Sequence, residues 1–65
     1  MFKDNLLYLR TKAGLTQAEL AEKCGITQQA IFGYEIGTKT PRLEVLIALA
    51  KALGCTTDAL LNDNN

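Results

Sequence analysis

Apolar residues recur along this chain at intervals of three and four, and almost nowhere at intervals of two. Phe2, Leu6, Leu9 and Ala13 form one such stripe, and Gly14 follows it as a helix-ending glycine does. Leu20, Ala21 and Cys24 give a second segment its inner face, and Gly25 ends it. Ala30, Ile31 and Tyr34 cluster on one side of a third, which Gly37 closes. Leu43, Leu46, Ile47, Ala50 and Leu53 form the longest stripe, with Gly54 after it, leaving Val45, Ala48 and Ala52 on the less buried side. A short last turn runs to Leu61. The pattern predicts an all-α, compact five-helix bundle in one domain, 1–65, with helices over about 2–13, 17–24, 28–36, 42–53 and 57–61. Residues 62–65 are expected to fray.

The start signals agree with the stripes. Thr16 precedes the second helix and Glu19 stands three residues on, the spacing of a capping box. Thr27 caps the third helix, and Thr56 or Thr57 the fifth. Pro41 stands just before the fourth, where its missing N–H is no loss. Residues 16–36 therefore read as two short capped helices joined by a tight turn. A small residue (Ala21), a glycine in the corner (Gly25) and a β-branched apolar residue (Ile31) follow one another at spacings of four and six. Those are the requirements of a helix-turn-helix, whose second helix lies in the major groove of DNA.

Composition narrows the function classes. The chain has no histidine, and its two cysteines, Cys24 and Cys55, sit among core-type neighbours. A disulfide framework and a zinc site are not expected. No metal or cofactor is expected, and no catalytic constellation is evident: no base stands beside a nucleophile and no glycine-rich loop cradles a phosphate. An enzyme is not the reading. No apolar run is long enough for a transmembrane helix, and no secretion signal opens the chain, so a bacterial or phage-encoded cytoplasmic protein is expected. Net charge is zero, seven basic residues against seven acidic. The charges are not evenly spread. Residues 1–42 hold six basic and four acidic side chains, +2, and residues 43–65 hold one and three, −2. That polarity suits a DNA-facing half and a far half.

With the Gly37 to Pro41 loop and the run 46–54, the motif resembles the Cro/C1-type (XRE) helix-turn-helix family from about Leu6 to Leu61. The run 16–23 and the pair Gln28–Gln29 look most like lambdoid phage repressors. The resemblance implies double-stranded DNA as partner, with the third helix in the major groove. It implies that Gln17 bonds a phosphate at a helix start, where the helix end itself attracts anions. It implies that Gln28 and Gln29 read base edges, as a glutamine does in bidentate contact with adenine. Lys39 and Arg42 are implied as phosphate contacts, with Arg42 near the minor groove. Arg10 and Glu35 match an internal ion pair, against the rival reading of Arg10 as a DNA contact.

Thr16, Gln17, Thr27, Gln28, Gln29, Phe32, Gly33, Lys39 and Arg42 make up the expected DNA-facing set. Its third-helix members include an anomaly. Phe32, Gly33 and Ile36 stand where the family usually has polar or basic residues, and no Lys or Arg lies between Lys23 and Lys39. Three accounts are open: Phe32 touches a thymine methyl, Gly33 lets the DNA backbone approach, or the face binds a protein. The function expected is a sequence-specific transcriptional regulator, a repressor, reading an inverted repeat. The alternative is an interaction module such as an antitoxin or phage adaptor. A weak C2 homodimer through the C-terminal half, where Val45, Ala48, Ala52, Leu60 and Leu61 lie, or a dimer formed on the operator, is expected, because one module makes few contacts.

Overall fold

The structure, a computed structural model, describes residues 1–62. All regular structure among them is helical: α1 (Phe2–Lys12), α2 (Gln17–Cys24), α3 (Gln28–Ile36), α4 (Leu43–Leu53) and α5 (Thr57–Leu61). Each helix contributes one wholly buried side chain to a common centre: Leu6, Leu20, Ile31, Leu49 and Leu60. Burying each contributes about 1.5–3 kcal/mol, so every helix is anchored by a similar apolar contribution. Ala21, Tyr34, Leu46 and Ala50 complete the core.

Local chemistry fixes the helix ends. The Thr16 hydroxyl accepts from the Glu19 N–H at 3.0 Å, and the Glu19 carboxylate accepts from the Thr16 N–H at 2.8 Å. Both halves of a capping box are thus present. Thr27 and Thr56 cap α3 and α5 by accepting from the N–H groups of Ala30 and Ala59, each at 3.1 Å. The α2–α3 corner turns at Gly25, whose φ of 69° lies in the left-handed region that a side chain disfavours. Beyond it, the Ile26 N–H returns to the Ala21 carbonyl at 3.0 Å.

The inner face of α4 differs from the expected one. Leu49, not in the expected stripe, is fully buried, while Leu43 is 68% exposed and Ile47 is also exposed. Val45 and Ala52, expected on the outer side, pack partly buried against the core. The reason is that α4 is apolar nearly all round, so periodicity alone leaves its rotation open. Packing against α2 and α5 sets it. Ala13 is likewise exposed, because α1 ends at Lys12 and Ala13 is already its C-cap. At the far end, Asn5 donates from Nδ2 to the carbonyls of Leu60 (2.8 Å) and Asn62 (3.1 Å), tying α5 to α1. Asn62, in the segment expected to fray, is hydrogen-bonded to both α1 and α5. The rest of the expected frayed segment, 63–65, lies outside the described residues.

Candidate nucleic-acid interface

The first turn of α3 carries Gln28 and Gln29, both exposed. Together with Gln17 and Phe32 they line one open hollow of about 250 Å³. Four side chains from two helices therefore meet at one place, three of them amides that both donate and accept. Thr16 and Thr27 flank this group. Their hydroxyl oxygens are occupied in capping, and a hydroxyl that accepts still has its own proton to donate.

A largely enclosed ion pair stands behind this surface. Arg10 on α1 donates from Nε to Glu35 Oε2 at 2.5 Å and from Nη2 to Glu35 Oε1 at 3.1 Å. Its Nη1 donates to the Leu15 carbonyl at 2.8 Å. The two side chains are only 12% and 5% exposed. All three guanidinium nitrogens are thus engaged within the protein, three of the five N–H donors being spent on Glu35 and the Leu15 carbonyl, an arrangement that fits the ion-pair reading of Arg10 better than the rival one. The hydrogen bond to Glu35, reinforced by that carboxylate's charge, raises the Arg10 pKa above its ordinary value despite burial. Glu35 Oε1 accepts a further bond, from Gln17 Nε2 at 2.9 Å. The Gln17 amide is thereby oriented by the core, with its oxygen and second N–H left over. Nothing local in the sequence signals this contact, which joins α1, α2 and α3 through one carboxylate.

The outward side of α3 has fewer residues than expected. Phe32 and Ile36 are half exposed, at 51% and 50%. Gly33, however, is buried. The loop after α3 folds back over it: the N–H groups of Gly37, Thr38 and Lys39 and the Thr38 hydroxyl all donate to the Gly33 carbonyl, at 3.0–3.4 Å. A Cβ at Gly33 would meet the Lys39 side chain at 3.0 Å. The missing side chain thus admits Lys39, and Gly33 lies beneath that stem and not on the open surface. Lys39 and Arg42 are exposed. Arg42 is the N-cap of α4 and stands 3.6 Å from the Glu44 carboxylate in a fully solvated pair.

Cys24 and Cys55 are free thiols, half-buried, and burial pushes both above the ordinary thiol pKa. They remain protonated and poorly nucleophilic at neutral pH. No helix among the described residues is long and apolar enough to cross a membrane.

Similarity to known proteins follows the same boundaries. A family described as helix-turn-helix matches residues 6–60. A prophage-derived HTH-type transcriptional regulator of Bacillus subtilis, YonR, is 43% identical over 61 residues, covering 94% of this chain and 56% of the relative. The transcriptional repressor RstR of the cryptic phage CTXphi, from Vibrio cholerae, is 34% identical over 64 residues, covering 98% of this chain and 58% of the relative. The chain thus spans a little over half the length of these curated relatives. Among solved structures, the P22 c2 repressor in complex with a synthetic operator superposes with a TM-score of 0.93 at 33% identity, covering 98% of this chain and 97% of that one.

Proposed function

The chain belongs to the Cro/C1-type (XRE) helix-turn-helix family, and from that premise we propose that it is a sequence-specific double-stranded DNA-binding regulator of transcription, a repressor. Helix α3 enters the major groove with Gln28 and Gln29 at base edges. Gln17, held by Glu35, bonds a phosphate beside the start of α2, and Thr16, Thr27, Lys39 and Arg42 hold the backbone. Phe32 contributes apolar contact, to which a thymine methyl is suited. The observation that carries this reading is the single hollow shared by Gln17, Gln28, Gln29 and Phe32. The near-complete likeness to a repressor solved on its operator supports it. The protein works as a binder in the cytoplasm, with no catalytic step, metal or cofactor.

The exposed apolar residues of α4 and α5 support a C2 homodimer, formed weakly or on the operator. Leu43 and Ile47, four residues apart on α4, and Leu61 on α5 are all exposed. A dimer reads two half-sites about 10 bp apart, or a multiple of that, as an inverted repeat. With about five phosphates neutralised, log affinity falls against log salt with a slope of roughly −4 to −5. Selection from a random duplex pool, followed by sequencing, tests the reading. An enriched inverted repeat is expected, and recovery of no enriched sequence contradicts it.

One observation favours a second reading. Phe32 and Ile36 are half exposed on a helix that carries no cation of its own. Such a face suits a protein partner, as in an antitoxin or phage adaptor. Co-purification from the native host, with a stoichiometric partner lost on Phe32→Ala, separates it from the first.

A further inference from the structure

The C-terminal half of α3 and the residue that closes it offer a phosphate almost nothing of their own. Phe32 and Ile36 are apolar, Gly33 and Gly37 have no side chain, and Glu35 is committed to Arg10 and Gln17. Two lysines from elsewhere lie over this gap, each across one of the glycines. The Lys39 stem crosses Gly33, where a Cβ would stand 3.0 Å from both Cγ and Cδ. The Lys3 stem, from the first turn of α1, crosses Gly37, where a Cβ would stand 2.9 Å from Cδ. Both lysines line one hollow of about 250 Å³ whose wall includes Ile36 and Thr40. Phe2 and Tyr34 meet edge to face, ring centres 6.4 Å apart, which fixes the first turn of α1 against α3. A lysine laid along a backbone in this way buries its methylenes and keeps its ammonium in water.

We propose that Lys3 and Lys39 form a paired phosphodiester-binding site, with Gly33 as the seat that admits Lys39 and with Lys3 laid over Gly37, whose φ of 87° already calls for a glycine. The proposal rests on the DNA reading above and adds to it a contact from α1. A lysine binds a phosphate as a point charge, without the fixed geometry of a guanidinium fork. Lys3 Nζ lies 3.2 Å from Asp4 Oδ1, but both side chains are well exposed, and a solvated pair of this kind exchanges readily for a phosphate. The two cations stand at the part of α3 where the helix itself has none.

The test is the salt dependence of binding to a mixed-sequence duplex of 25 base pairs, for the wild type and for Lys3→Gln, Lys39→Gln and the double variant. Each lost phosphate contact should flatten the slope of log affinity against log salt by about 0.9, and the double variant by about 1.8. Lys51→Gln, which removes the same charge from α4, should leave the slope unchanged. Gly33→Ala presses on the Lys39 stem, Cγ and Cδ at 3.0 Å and Cβ at 3.3 Å, and should flatten the slope as Lys39 is displaced, with circular dichroism confirming that the variant is folded. Wild-type binding with unchanged slopes in the lysine variants overturns the paired site alone, as does equal flattening by Lys51→Gln. A folded Gly33→Ala with a wild-type slope overturns the seat. A wild type that binds no duplex at low salt overturns the DNA reading and this site together.

Discussion

The two halves of α3 draw their chemistry from different places. The first turn supplies its own: Thr27 caps it and Gln28 and Gln29 stand exposed on it. The second half turns Ile31 and Tyr34 into the core, commits Glu35 to Arg10 and Gln17, and shows only Phe32 and Ile36 outward. Its polar equipment comes from α1, α2 and the following loop. A recognition helix can thus be self-sufficient at one end and furnished by its neighbours at the other. Damage to the inward side chains of the second half, Ile31, Tyr34 and Glu35, should therefore strike the fold, and damage to Gln28 and Gln29 should strike recognition.

The largest effect should come from Glu35→Ala. It strands the Arg10 charge in a nearly closed site, and losing one partner of a buried pair costs about 3–5 kcal/mol. Urea unfolding should show it as a large drop in midpoint. Arg10→Met with Glu35→Leu should recover most of that loss, since neither charge is then buried alone. A double variant as unstable as Glu35→Ala would locate the effect in shape and not charge. Next comes Gln28→Ala, which should leave the unfolding curve in place and reduce discrimination at one base position by about 1–3 kcal/mol. Competition binding with single-base variants of the selected site measures it. Thr27→Ala should cost about 1 kcal/mol through the lost cap, read in the same urea experiment. Smallest of all on stability is Phe32→Ala, within about 0.5 kcal/mol because the ring is half exposed, while affinity for the selected duplex falls. A Phe32→Ala variant that unfolds would mean that the ring belongs to the core.

The same contrast explains what could be read from the chain. The capping box at Thr16 and Glu19, the caps at Thr27 and Thr56, and the corner at Gly25 depend on residues within a few positions of one another, and each is visible in order. The five-helix architecture follows from them. The rotation of α4 was not legible, because Leu43, Leu46, Ile47 and Leu49 are equally apolar and only the packing of α2 and α5 selects Leu46 and Leu49. The burial of Gly33 is hidden for a similar reason. Its seat for Lys39 depends on a loop folding back onto its carbonyl, a contact between residues whose types do not announce it. The bond from Gln17 to Glu35 spans 18 positions and has no sequence signature at all.

The central claim is that the first turn of α3, with Gln17 beside it, meets DNA bases and backbone. Titration of isotopically labelled protein with the selected duplex at low ionic strength tests it most directly. The side-chain amide signals of Gln17, Gln28 and Gln29 should move with the bound fraction, and those of Asn5, at the junction of α1 and α5, should stay in place. Binding that shifts Asn5 and leaves all three glutamine signals untouched would contradict the account.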